Sequence, residues 1–493
     1  MRGRSAFAAA VVIVTIAVAA FTAVPAVGGP RACTKRTNDT IAKLLECVTL
    51  EGVREHQAAL QAIADDNGGN RFSGLPGHDE SVEYVVERLE AAGYDPDVQS
   101  FDYLAFAVVG PSVLQQTAPG SVTYVEGTDF GVIDQSDPGD VTAAVTAVDL
   151  QLGLGNTSTS GCEAADFAGF PAGNIALLQR GTCTFELKAE NAAAAGAVGI
   201  VIFNQGNTVD PARQGIPAVT LTAGNESGIP VLGTTYTLGA DLSLIAGLEM
   251  RVFANTLRDT KTTYNVLAEL PGDDSNVVMV GGHLDSVSAG PGINDNGSGS
   301  AAILDIAEAM RKVEPVNTVR FAWWGAEESG LVGSRFYVAN LTTQEQGDIA
   351  LYLNFDMIGS PNYVRFVYDG DGTLGTPGPA GSGAIEALFV DFYDDRGLAS
   401  APTAFDGRSD YGPFIAAGVD IPAGGLFTGA EGIKTPAQAA VYGGTAGQQY
   451  DPCYHQACDT FANNSNAVLD LNSDAIAFAT LTYATDTSSV TGP

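Results

Sequence analysis

From about residue 262 the chain alternates strand-like apolar runs with helical patterns, and this alternation restricts the fold more than any other feature. Strands are predicted at 277–281, 318–324 and 350–355, with helices at 300–313 and 329–340 between and after them. Strands that alternate with helices imply an α/β fold: a mostly parallel central sheet flanked by helices. In such sheets ligands bind beyond the carboxyl ends of the strands.

The residues that follow each strand are therefore informative. After the first run comes Gly281-Gly-His283-Leu-Asp285-Ser, then Gly292-Ile-Asn-Asp295-Asn296-Gly-Ser-Gly. After the second comes Gly325-Ala-Glu327-Glu328-Ser-Gly, and after the third Asn354-Phe-Asp356-Met357. Asp451-Pro-Cys453-Tyr454-His455-Gln-Ala-Cys458 adds a histidine inside a small cysteine loop. Imidazole and carboxylate ligands suit Zn(2+), and one carboxylate can bridge two metals about 3.5–4 Å apart. Taken singly, each motif also has an ordinary reading: a hydrogen-bonded loop histidine, or a Glu pair placed at a helix N-terminus. Their shared position at the ends of strands, in a chain with only 4 histidines, favours a metal site.

The rest of the chain sets the context. Residues 53–99 read as helical, since Val82, Val85, Val86 and Leu89 share one apolar face and Gly93 stands where a C-cap belongs. His56 and His78 read as surface histidines. Residues 103–258 are rich in Val, Thr, Gly and Ala and hold no cluster of catalytic residue types. Arg180-Gly-Thr-Cys-Thr-Phe-Glu-Leu-Lys, an Ala-rich helix and Gly-Ile-Val-Ile-Phe-Asn make this stretch resemble a β-rich protease-associated (PA) domain. The N-terminus has two arginines, an apolar stretch over 6–24 and a Val-Pro-Ala exit, the pattern of a secretory signal peptide cleaved near Ala26. The expected organisation is a signal peptide at 1–26, the N-terminal part of the main domain at 27–102, the insert at 103–258 and the main part at 259–490. The cysteines fall into three local pairs, Cys33/Cys47, Cys162/Cys183 and Cys453/Cys458, whose short loops favour disulfides in a secreted protein. A net charge of −34 argues against nucleic acid and anionic lipid as partners.

The motifs after the strands, together with Asn67-Gly-Gly-Asn-Arg, Gly407-Arg-Ser-Asp and Gly424-Gly-Leu-Phe-Thr-Gly, resemble the secreted co-catalytic di-zinc aminopeptidases of the Streptomyces and Vibrio type. The resemblance covers most of 53–102 and 262–486 and implies the zinc exopeptidase fold. It also implies roles. His283 and Asp356 hold one zinc, Glu328 and His455 hold the other, and Asp295 bridges the two. Glu327 serves as general base toward a zinc-bridging hydroxide, Tyr454 stabilises the oxyanion, and Asp285 orients the His283 imidazole. Met357, Gly407, Arg408 and Phe427 line a substrate pocket suited to apolar N-terminal residues. A cis peptide is expected at Asp295–Asn296. The partners implied are peptides with a free N-terminus, acted on by an extracellular monomer with no stable membrane association.

Two positions depart from the family pattern. Tyr411 stands where relatives often carry His. Asp470 and Asp474 match candidate calcium ligands, but the N-terminal partner segment, Glu46-Cys47-Val48, lacks the expected Asp, so both also read as exposed helix acids. Arg408 reads equally as a structural ion pair, with Asp410 as partner. The competing functions are a carboxypeptidase, for which Arg408 is the only obvious carboxylate clamp; a glutaminyl cyclase, which normally uses one zinc; and a non-enzymatic binder that works through the insert.

Overall fold

A computed structural model describes residues 33–217, 219–222 and 224–492. The predicted signal peptide lies outside the described residues. Two eight-stranded sheets are present. The first runs, in spatial order, Asp97–Val108, Thr256–Leu270, Asn317–Trp324, Asp273–His283, Ile349–Phe355, Ala423–Phe427, Phe366–Tyr368 and Ala401–Thr403. Four adjacent strands, from Asn317–Trp324 to Ala423–Phe427, are mutually parallel, and the pairs on either side of this block are antiparallel. The sheet is parallel at its centre and mixed toward its margins.

The central strands are parallel because they are buried on both faces, so their sequences are continuously apolar. Ile349–Phe355 is buried at every position. Trp323 and Trp324 show the period of two: adjacent in sequence, they enter different cores on opposite faces. Trp323 donates its indole N–H to Ser300 O at 3.1 Å, and Trp324 donates to the Tyr352 hydroxyl at 2.8 Å, so neither buried ring leaves a donor unpaired. Helix Gly297–Met310 packs on one face and is buried along most of its length.

The region read as helical at 53–99 holds two helices, Leu50–Asp66 and Pro76–Ala92, followed by a strand that begins at Asp97. Consecutive left-handed glycines, Gly68 and Gly69, break the first helix, and Pro76 starts the second. Gly93, with φ 99°, caps it as expected. His56 and His78 are not surface residues: both are buried. His56 Nδ1 lies 2.7 Å from the Tyr84 hydroxyl. Burial pushes the His78 imidazole down to about 4, so the ring is neutral.

Asp97–Val108 and Thr256–Leu270 form a long antiparallel ribbon, in register from Asp97↔Leu267 to Val108↔Thr256. The second sheet is built from the chain between them and has cores of its own. Its middle strands, Ile175–Gln179, Gly199–Phe203 and Val231–Thr234, are parallel and fully buried, with helix Phe185–Ala194 in the first crossover. Disulfides join Cys33–Cys47, Cys162–Cys183 and Cys453–Cys458. No helix among the described residues is long and apolar enough to cross a membrane.

Candidate metal centre

The parallel order sends His283, Glu327, Glu328 and Asp356 to one edge of the first sheet, because each follows or ends a parallel strand. Gly282 makes this convergence possible: a Cβ there would stand 2.5 Å from Phe355 O and 2.9 Å from Asn296 Nδ2. The loop after His283 returns with Asp295, and the disulfide-closed loop brings His455 in from far along the chain.

Asp295 lies between the two imidazoles. Its Oδ1 is 3.3 Å from His283 Nε2, and its Oδ2 is 3.2 Å from His455 Nε2. Asp356 Oδ1 is 3.4 Å from His283 Nε2, and Glu328 Oε2 is 3.1 Å from His455 Nε2. Glu327 Oε2 stands farther from His283 Nε2, at 4.0 Å. The Asp295–Asn296 peptide is cis. Ala326, Met357 and His455, each at or beside one of these side chains, adopt left-handed backbone at φ 53°, 48° and 56°. L-residues adopt this conformation only where the surroundings impose it, and functional sites are where it concentrates.

The chemistry and spacing of these residues fit zinc. A tetrahedron with metal–ligand bonds of about 2.0–2.1 Å has edges of about 3.3–3.4 Å, close to the separations between the donor atoms. His283 Nε2, Asp356 Oδ1 and Glu328 Oε1 are buried without a hydrogen-bond partner among the described residues. Two trios of donors, His283 with Glu327 and Asp356 and His283 with Asp295 and Glu328, are close enough together to hold metal in this cluster. Three buried acids, Asp295, Glu327 and Asp356, and the partly buried Glu328 face two imidazoles, and carry more negative charge than a protein interior tolerates unless cations are supplied. Burial holds Glu327 well above the ordinary carboxyl range, with His283 opposing and Glu328 adding to the shift. Burial and then Asp295 push Glu328 up to about 7. Asp295 goes the other way: burial favours its neutral form, but the hydrogen-bonding imidazoles hold it below the usual range.

Asp285 is fully buried and lies against both His283 and Glu327. His283 Nδ1 is nearest the Asp285 main-chain carbonyl, at 3.1 Å, and is 3.6 Å from the carboxylate. The carboxylate also accepts the Glu327 backbone N–H at 3.1 Å. Sequence reasoning gave no role to Ser409, whose hydroxyl donates to Asp356 Oδ2 at 2.7 Å and accepts from Asn354 Nδ2 at 2.9 Å. Its only signal was its place in Gly407-Arg-Ser-Asp.

A cavity of about 400 Å³ opens beside these side chains, and Met357, Tyr368, Gly407, Arg408, Tyr411 and Phe427 contribute to its lining. Arg408 does not pair with Asp410, which is fully buried. It pairs with Glu431 at 2.9 Å, and its Nη2 donates to the Tyr454 hydroxyl at 3.1 Å. The Tyr454 ring stacks on His455 with centroids 3.8 Å apart. Tyr411 donates to Asp406 Oδ1 at 2.8 Å and accepts the Gly407 N–H. Asp470 and Asp474 lie four residues apart on helix Asn466–Thr485 and join no metal-holding group among the described residues.

This sheet, with its imidazoles and carboxylates gathered beyond the parallel strand ends, defines an α/β peptidase carrying an insert. The chain belongs to peptidase family M28: the family model matches residues 265–480, and the PA domain model matches residues 141–242 within the second sheet. An aminopeptidase from Pseudomonas aeruginosa is 54% identical over 439 residues, covering 89% of this chain and 81% of that protein. Leucine aminopeptidase 2 from Trichophyton equinum is 41% identical over 445 residues, covering 89% and 84%. Among solved structures, an aminopeptidase from Aneurinibacillus sp. strain AM-1 aligns with a TM-score of 0.63 at 26% identity, covering 89% of this chain and 95% of that one. A zinc aminopeptidase from Bacillus subtilis shares the fold, with a TM-score of 0.60 at 24% identity over 88% of this chain and 94% of that one.

Proposed function

We propose that this protein is a secreted two-zinc aminopeptidase that releases apolar residues from the free N-terminus of peptides. The observation that carries the reading is the placement of Asp295, with one oxygen facing His283 and the other facing His455. One carboxylate between two imidazoles would serve two ions. His283 and Asp356 complete one set of ligands, and Glu328 and His455 the other. The names of the relatives and the zinc aminopeptidase neighbour support the same metal and bond class. Three disulfides support an oxidising, extracellular location.

When bound, zinc supplies a Lewis acid that polarises the scissile carbonyl and makes water a stronger acid. The residues of the chain do the rest. Glu327, beside the ligands but farther from the imidazole, takes the proton of the attacking water and passes it to the leaving amine. The Tyr454 hydroxyl accepts from Arg408, which leaves its own proton to donate to the developing oxyanion. The carboxylates of Glu327 and Asp356 at the cavity end receive the substrate ammonium. Met357 and Phe427 give the cavity an apolar wall, and one methylene more or less in such a pocket changes rates only about 10–200-fold.

Leucine p-nitroanilide and its N-acetyl derivative test this reading. The free amine is cleaved, the acetylated compound is not, and a chelator abolishes cleavage until zinc is restored. Cleavage of the acetylated compound alone, or indifference to the chelator, overturns the assignment.

A further inference from the structure

Two of the most buried carboxylates in the molecule lie just outside the candidate metal centre, and the function proposed above does not use them. Asp459 follows Cys458 directly, and Asp451 precedes the same disulfide loop; both are buried. No lysine or arginine bonds to either one among the described residues. Their partners are amides. Asp459 Oδ1 accepts the Asn294 backbone N–H at 2.9 Å, and its Oδ2 accepts the Asp295 backbone N–H at 2.9 Å. The Asp459 main-chain carbonyl accepts the Ile293 N–H at 3.0 Å. Three consecutive amides leading to Asp295 are thus held by one residue.

Asp451 extends the clamp. Its Oδ2 accepts from Asn294 Nδ2 at 2.7 Å, and its Oδ1 accepts the Cys453 N–H at 2.8 Å. Asn463 Nδ2 reaches both carboxylates, at 2.9 Å from Asp451 and 3.0 Å from Asp459. Asn294 also ties in the segment after Asp356: its Oδ1 accepts the Gly359 N–H at 3.1 Å, and its Nδ2 lies 3.1 Å from Ser360 Oγ. The two loops press together directly, since a Cβ on Gly290 would stand 2.2 Å from Gln456 O.

We infer that Asp459 is a positioning residue that locks the Asp295 loop to the loop bearing His455, and so sets the separation of the two metal sites. Asp295 approaches one imidazole from its own side of the sheet and the other from a loop about 160 residues away in sequence. Those approaches hold only if the backbone of 293–295 cannot move against 453–459. A carboxylate has an acceptor on each oxygen and can hold two adjacent N–H groups at once. A carboxamide offers one acceptor and turns an NH₂ toward the other amide. Removing a hydrogen-bonding partner of this kind from a metal site typically lowers metal affinity about 10–100-fold.

The inference rests on the two-zinc reading, and the test separates them. Wild type and Asp459→Asn are stripped of metal and titrated with Zn(2+) against a competing chelator, and the visible absorption of the Co(2+)-loaded forms is compared. Wild type takes up two ions. Asp459→Asn binds at least one of them about 10–100-fold more weakly, with an altered cobalt spectrum. Saturating zinc restores part of kcat, while KM for leucine p-nitroanilide stays within about twofold. A wild type that binds fewer than two zinc ions defeats the two-zinc reading itself. A wild type that binds two ions, beside a variant of equal affinity and unchanged spectrum, defeats only the role of Asp459, even if the variant melts earlier. Should Asp459→Asn not fold, Asn463→Ala removes the brace between the carboxylates and shifts zinc affinity several-fold in the same direction; unchanged affinity there overturns the inference.

Discussion

Arg71 offers the most searching test of how the site is supported. Its side chain is fully buried, and its guanidinium donates to three main-chain carbonyls: Pro291 at 2.9 Å, Gly292 at 2.7 Å, and Leu284. All three belong to the segment joining His283 to Asp295. Its own N–H donates to Ser286 Oγ at 2.8 Å. Burial lowers the guanidinium to about 10, opposed by Asp285, Asp459, Asp295 and Glu328, so it remains a cation facing the acidic centre. Arg71→Lys keeps the charge but replaces a rigid fork with a single ammonium that reaches at most two of the three carbonyls. One or two buried acceptors then lose their partner, at about 1–3 kcal/mol each, so the expected loss is about 2–4 kcal/mol. Arg71→Met removes the charge as well and costs more. The chain has only two tryptophans, Trp323 and Trp324, both buried in the first sheet. Tryptophan emission during guanidinium unfolding therefore reports this sheet without interference from the insert. An Arg71→Lys variant within about 0.5 kcal/mol of wild type, the range of an ordinary surface substitution, or an Arg71→Met variant no less stable than Arg71→Lys, rules out this role for Arg71.

Glu327→Gln keeps the shape of the side chain but cannot accept a proton; its zinc content should match wild type while kcat falls about 10²–10⁴-fold, and full turnover would remove Glu327 from the role of base. Asp305 gives a pH prediction away from the metal ligands. Burial raises its carboxyl to about 7, although it accepts the Thr49 N–H at 3.1 Å. The folded state therefore keeps a proton that the unfolded chain releases near pH 4, so this contribution is fully present below about pH 4 and is lost as the pH rises through 7. The stability difference between wild type and Asp305→Asn should change by up to about 1.4 kcal/mol per pH unit across that window, always in the direction that weakens wild type as pH rises. Parallel stability curves for the two proteins would show that Asp305 does not carry this proton.

Much of the site was legible in the sequence because its signals are local. A parallel strand order delivers whatever follows each strand to one edge, so His283, Glu327, Glu328 and Asp356 could be grouped by counting elements alone. The periodicity of 277–281, 318–324 and 350–355 comes from burial on both faces, which local composition records directly. Distant contacts leave no such trace. Asp451 and Asp459 are ordinary acids in the sequence; packing of their loop against 290–295 turns them inward onto amide groups. Arg408 has an acid two positions away, yet it pairs with Glu431, 23 residues on, because Asp410 is buried. His56 and His78 looked exposed because helical spacing says which residues share a face but not which later strands and helices will cover that face. Residue types and their order determined the α/β class and pointed to the candidate ligands. Tertiary packing decided which side chains hold those ligands in place, because bracing depends on approach in space between segments that the chain keeps far apart.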